Sequence, residues 1–173
     1  MKTLSIKPLN SFQIIVLGFA GVILAGALLL MLPVSSATHC VTPFLSALFT
    51  STTSVCVTGL IVVDTGTYWS VFGQAVILVL IQIGGMGVVT VAAAVTIISG
   101  RKIGLMQRST MQEAVAAPKM SGIVRLTGFI IRATLLIELS GAALLAPVFC
   151  RDFGPIRGLW MAVFHSISAF CNA

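Results

Sequence analysis

The chain has 173 residues, of which 58% are hydrophobic and only 8% charged, with a mean hydropathy of +1.12. That balance excludes an ordinary water-soluble domain and places the chain in a lipid bilayer. The net charge of +6 does not make it a nucleic-acid binder: Lys2, Lys7, Arg101, Lys102, Arg108, Lys119 and Arg125 flank apolar segments on one side, as an orientation signal does.

In chain order, the first element is Ile14 to Leu32, an unbroken apolar or small-residue run of about the 20 residues that a hydrocarbon core requires. Lys7 and Pro8 precede it and Pro33 follows. A cleaved signal peptide also has a basic start, and Ser35-Ser36-Ala37 loosely resembles a cleavage site. The apolar run exceeds the roughly 7–15 residues of such a peptide, and it recurs at 139–145, so an uncleaved spanning helix is expected.

Thr42 to Ser54 is too short to cross, and Pro43 suits a first helical turn. Irregular backbone sits at membrane depth only where protein buries it or where it lines a water-filled cavity. A re-entrant half-helix near 43–54, followed by a small-residue loop, meets that condition. The C-terminal end of such a helix carries about half a negative charge and favours a cation beyond it. The loop Val55-Cys56-Val57-Thr58-Gly59-Leu60 has no acid. Its ligands would be backbone carbonyls, and Gly59 allows the torsions that turn them toward an axis. Carbonyls that replace a hydration shell are a known solution for potassium. The plainer alternative is an extracellular hairpin loop with an ordinary turn glycine.

Tyr68 to Ser99 is the second candidate span, long enough that it must tilt, bend or project from the bilayer. Gln82 and Gly84-Gly85-Met86-Gly87 lie within it, where glycines suit close helix packing or, alternatively, a bend facing a pore. Arg101 to Lys119 is polar and reads as a short cytoplasmic helix; a docking surface for a regulatory protein and a solvated connector both remain open. The third span is Ile123 to Val148, ended by Pro147 and Arg151. Its Glu138 is an acid at mid-span, where an ionised group costs several kcal/mol unless partnered. Pairing inside the bundle is expected, with Arg132 an awkward same-helix partner. A second re-entrant helix is expected near 157–169. Trp69 and Trp160 suit the outer membrane interface, and His39 and His165 lack metal-ligand company. The cysteines at 40, 56, 150 and 171 have no CxxC spacing, and a Cys40–Cys150 disulfide stays open.

Two stretches repeat. Ala47, Phe49, Ser51 and Cys56 recur 115 positions on as Ala162, Phe164, Ser166 and Cys171. The apolar segment ahead of each matches at the same offset: Leu24, Gly26, Ala27, Leu29 and Leu30 return as Leu139, Gly141, Ala142, Leu144 and Leu145. The expected fold class is therefore an all-α membrane protein of repeated membrane helix–pore helix–membrane helix units, one complete and one truncated. The first unit occupies 1–99, a cytoplasmic connector 100–121, and the second unit 122–173, cut within its pore loop. The positive-inside rule puts the N-terminus and the connector in the cytoplasm, with both pore stretches opening outside. The copies are then parallel repeats about an axis along the membrane normal.

The segments TSTTSVCVTGLIVVDTGTYWS (50–70), LIQIGGMGVVT (80–90) and FHSISAFCNA (164–173) resemble the Trk/Ktr/HKT potassium transporter superfamily, above all the bacterial Ktr-type membrane subunit. The resemblance implies four such repeats around one pore, each loop giving one strand of a potassium filter around a central glycine. Carried over, Val57, Thr58 and Gly59 form the first filter strand with Cys56 at its inner edge. Phe170, Cys171, Asn172 and Ala173 begin the second, whose glycine is expected immediately after; the chain thus reads as the N-terminal part of the subunit. Within the family, serine at the first filter position goes with sodium and glycine with potassium. Gly59 therefore implies passage of K+, with Na+ as a coupling or activating ion, in a bacterial plasma membrane. The resemblance also implies a homodimer on a cytosolic ring that binds nucleotide, with no other cofactor held by this chain. No enzyme is indicated: the sequence lacks GxSxG, HExxH and GxxxxGK[ST]. The alternative is a non-conducting structural or assembly membrane protein.

Overall fold

The computed structural model describes residues 11–87, 90–91, 105–114 and 123–173. Their regular structure is helical, apart from an isolated bridge between Ser36 and Trp69. The helices are α1 (Ser11–Met31), α2 (Phe44–Val55), α3 (Thr65–Tyr68), α4 (Val71–Met86), α5 (Leu105–Ala114), α6 (Ile123–Phe153) and α7 (Pro155–Cys171), with a 3-10 turn at Pro33–Ser35 after α1.

Among the described residues, two helices are long and apolar enough to cross a membrane, through Phe12–Met31 and Val124–Phe153. Their large side chains mostly face outward: Leu28 is 63% exposed and Leu144 79%. In water such faces would drive aggregation; in a bilayer they meet acyl chains at no cost. The fold is that of an all-α membrane protein.

The second span differs from its expected limits. Asp64 caps α3 by accepting from the Thr67 amide at 2.9 Å. Ser70 then starts α4 afresh, its hydroxyl oxygen accepting from the Gly73 amide at 3.2 Å. The helix begins at Val71 rather than Tyr68 because two side-chain caps compete for the same stretch of chain. It stops at Met86 because Gly87 adopts φ +81°, a conformation that ends a helix and that glycine tolerates. Thr90 and Val91 are helical again, and the part of the expected span from 92 to 99 lies outside the described residues, as do 101–104 and 115–119 of the expected connector helix. The third span runs further than expected, through Pro147 to Phe153. Proline removes one backbone donor, which a long helix packed along its length can absorb.

Each long helix packs against the half-length helix that follows it, α6 on α7 and α1 on α2, and α4 sits among α1, α2 and α7. The half-helices span Phe44–Val55 and Pro155–Cys171, close to the expected 43–54 and 157–169, with prolines at their starts. The core gathers Leu30, Ala47, Val55, Trp69, Ile77, Leu80 and Ile81. Trp69 is 2% exposed and set edge-on to Tyr68 at 4.9 Å. It is buried because the Ser35–Ser36 segment folds over it: the Ser70 amide donates to the Ser35 carbonyl and the Ala37 amide to the Tyr68 carbonyl, both at 2.9 Å. In the described part of the connector, α5 packs on α1 and α6 and buries Thr110 and Met111. It is therefore not solvated all round.

The two helix pairs are joined in the same way. The Ser51 hydroxyl donates to the Ile23 carbonyl at 2.7 Å, and the Ser166 hydroxyl to the Glu138 carbonyl at 2.6 Å. Both donor and acceptor shift by the offset of the sequence repeat. Gly26 and Gly141 provide the room: a Cβ on either would collide with the serine oxygen.

Gly73 marks the tightest backbone approach at the entry to α4, where an added Cβ would overlap the Ser35 carbonyl oxygen. Backbone cannot yield as a flexible side chain can. Gly73→Ala should therefore destabilise the full-length subunit by about 1–3 kcal/mol, lowering its apparent melting temperature in detergent. Gly21→Ala, with nothing within 4 Å of the new methyl, should leave that temperature unchanged or raise it slightly, because alanine favours the helix.

Candidate pore-loop site

The two half-helices end alike, bond for bond. After α2, the Val57 amide donates to the Ser54 carbonyl at 3.3 Å and the Thr58 amide to the Thr53 carbonyl at 3.0 Å. After α7, the Asn172 amide donates to the Ala169 carbonyl at 3.2 Å and the Ala173 amide to the Ser168 carbonyl at 2.9 Å. This is the paired closure of a Schellman cap, which satisfies carbonyls that would otherwise be orphaned. The cap requires a left-handed residue, and Val57 and Asn172 supply it at φ +55° and +63°. Asparagine takes that conformation readily. A β-branched valine does so only under strain of about 1–3 kcal/mol, of the kind stored at functional sites.

Beyond Val57 the chain turns again at Gly59, φ +71°. Thr53 holds this turn from inside the helix. Its hydroxyl accepts from the Leu60 amide at 2.9 Å and shares a 2.5 Å hydrogen bond with the Thr58 hydroxyl. Cys56, Thr58 and Gly59 are exposed and Val57 half-buried. In the second loop Phe170 and Asn172 are exposed, while Cys171 and Ala173 are half-buried.

The loops meet. A Cβ built on Gly59 would lie 3.5 Å from the Ala173 carbonyl carbon. Around this contact is a cavity of about 130 Å³ bounded by Thr53, Ser54 and Gly59 on one side, Ser168 and Ala173 on the other, and Ile81 of α4. It has room for several waters. Leu60, Ile61, Val63, Ile77 and Phe164 also line the cavity, so its polar edge is confined to the threonines, serines and loop backbone. Neither half-helix has a basic residue in its last turn, so the partial negative charge at each end is not neutralised from within the helix and favours a cation nearby.

Beneath the second loop lies a buried polar link. The Gln82 amide nitrogen donates to Glu138 Oε2 at 2.9 Å, and Gln82 Oε1 accepts from the Cys171 thiol at 3.9 Å. Glu138 is 4% exposed, and its Oε1 has no partner among the described residues. Pairing of Glu138 inside the bundle was legible in the sequence; Gln82 as the partner was not, since the two are 56 positions apart. The role of Thr53 was also missed. The signal available was its position five residues ahead of a threonine at the helix end. His165 bonds its own helix, Nδ1 lying 2.8 Å from the Met161 carbonyl oxygen. All four cysteines are free, so the Cys40–Cys150 bridge is not formed.

The TrkH family model, described as a cation transport protein, matches residues 4–173. The chain belongs to that family. It is 44% identical over 161 residues to the Ktr system potassium uptake protein B of Bacillus subtilis, covering 93% of this chain and 36% of that protein. It is 40% identical over 167 residues to the potassium/sodium uptake protein NtpJ of Enterococcus hirae, covering 96% and 37%. The Ktr system potassium uptake protein B of Vibrio alginolyticus is 38% identical over 161 residues, 93% of this chain and 35% of that protein. The chain thus spans a little over a third of the length of these relatives. The family is one of cation transporters in membranes, not of enzymes.

The Thr53 hydroxyl is the one side-chain group clamping Thr58 and Leu60 at once. Thr53→Val keeps the shape and removes the clamp; the Leu60 amide is exposed and turns to water, so the loss is the net value of the bond, about 0.5–1.5 kcal/mol. Amide hydrogen exchange at residues 58–60 of the full-length subunit should quicken by about tenfold, with α2 itself unchanged. Equal exchange in both proteins would mean that the loop is held by other contacts.

Proposed function

We propose that this chain is the N-terminal part of a potassium-uptake subunit in which Cys56, Val57, Thr58 and Gly59 form one strand of an ion filter. Phe170, Cys171, Asn172 and Ala173 begin the next strand. The observation that carries this reading is the meeting of two identically capped half-helices at Gly59 and Ala173. Ordinary hairpin loops have no reason to share a cap, a left-handed residue at the same position and a contact point. The repeat units at 1–99 and 122–173, joined by the connector at 100–121, each bring one half-helix to that point.

The relatives' names supply the ion: potassium for the Ktr proteins, potassium and sodium for NtpJ. In this chain the ligands are backbone oxygens of the two loops, with Na+ a coupling or activating ion. The uneven distribution of Lys and Arg supports a cytoplasmic N-terminus. A homodimer seated on a cytosolic nucleotide-binding ring completes the assembly, with the connector around α5 as its point of attachment.

Gly59→Ser is the test. A Cβ at a φ of +71° is strained, and the hydroxymethyl group narrows one of the strands where the loops meet. In cells without other potassium uptake, the full-length Gly59→Ser subunit should lose uptake at low external potassium, with about a tenfold or greater fall in preference for potassium over sodium. Membrane abundance should be nearly unchanged, and Thr42→Ser serves as a control outside the loop. An unaltered preference in Gly59→Ser would remove Val57–Gly59 from the filter.

A further inference from the structure

The two pore loops are alike in backbone and unlike in what lies under them. In the first unit the position equivalent to Glu138 is Ile23, and Cys56 is exposed. In the second, Cys171 is tied through Gln82 to the buried carboxyl group of Glu138. Three elements meet in this link: the end of α7, the C-terminal part of α4 and the middle of α6. Next to it on α4, Gly84 and Gly85 receive the ends of both half-helices. A Cβ on Gly84 would overlap the Val55 carbonyl oxygen, and one on Gly85 would lie 2.5 Å from the Cys171 sulfur. One turn of α4 is therefore the common seat of both loops, and Gln82 is its polar fastening on the second side.

A buried polar link in hydrocarbon is costly to break and directional while it holds. A purely apolar seat would hold the loop against α4 but would not fix its height or rotation. We propose that Gln82, oriented by Glu138, is a positioning residue for ion selection: it sets the second loop against the first by fixing Cys171 on α4. The inference rests on the reading of the two loops as filter strands. It adds a determinant of selectivity that touches no ion.

The test uses the full-length subunit in cells lacking other potassium uptake, reading potassium and sodium uptake per copy in the membrane. Gln82→Met keeps length and removes both hydrogen bonds. It should raise the KM for potassium and lower the preference for potassium over sodium by about fivefold or more, with maximal uptake per copy changed less. Glu138→Leu should do the same, and the double variant Gln82→Met/Glu138→Leu should be no worse than either single one, as for partners in one link. Glu138→Gln keeps a hydrogen-bonding end and should retain the preference within about twofold. Cys171→Ala, a milder change that leaves the buried pair intact, should shift the preference in the same direction and provides the reading if Gln82→Met reaches the membrane poorly.

Gly59→Ser, measured alongside, separates the two claims. If it changes the preference while Gln82→Met and Cys171→Ala do not, the positioning role is overturned and the filter reading stands. If none of the three changes it, both fall. Additive effects of Gln82→Met and Glu138→Leu would also overturn the link, because they would then act on selectivity separately.

Discussion

A helix that stops part-way through a membrane must satisfy its last carbonyls without water, and the rest of this structure depends on how that is done. Each half-helix closes its end on its own backbone, through a left-handed residue and two amide bonds. That closure frees the following residues from helical geometry while keeping them against protein, which is the condition for non-helical backbone at membrane depth. It also leaves the negative end of each half-helix without a basic residue in its last turn, close to a cavity edged by Thr53, Ser54 and Ser168. A polar loop, a favourable potential and a fixed position thus come from one local device used twice.

The device needs a rigid support, and the serine ties supply it. Ser51 and Ser166 each donate to a carbonyl of the preceding long helix, locking half-helix to spanning helix where Gly26 and Gly141 permit contact. Helical carbonyls already accept one bond from within the helix; the second lone pair is available to a neighbour. Because the outward faces of α1 and α6 meet lipid, no hydrophobic force between helices holds them together. Close approach through glycine and hydroxyl-to-carbonyl bonds takes over that role. Where α4 joins the two pairs, small residues again set the distance, and Gln82 with Glu138 adds direction.

Much of this was legible in the chain. The apolar runs and their lengths gave the long helices, and Pro43 marked the start of the first half-helix. The repeat of Gly26, Ala27, Ala47 and Ser51 as Gly141, Ala142, Ala162 and Ser166 turns out to contain the contacts that join each pair. What could not be read is tertiary. The cap at Ser70 and the turn at Gly87 bound the second helix within a hydropathy pattern that ran through both. The burial of Trp69 comes from the Ser35–Ser36 segment that covers it, which aromatic placement from sequence does not register. The pairing of Gln82 with Glu138 depends on how α4 and α6 lie, which periodicity does not encode. In the first loop the sequence pointed to Gly59, whose φ is positive, but not to the strained turn at Val57 that precedes it.

The central claim is that an ion is held where the loops around Gly59 and Ala173 meet. Crystals of the full-length subunit grown with rubidium or thallium in place of potassium test it directly through anomalous difference density. A peak is expected within coordination distance of backbone oxygens of residues 57–59 and of the second loop, lost when sodium replaces the heavier ion. Anomalous density confined to other parts of the molecule, with this junction empty and the loops ordered, would contradict it.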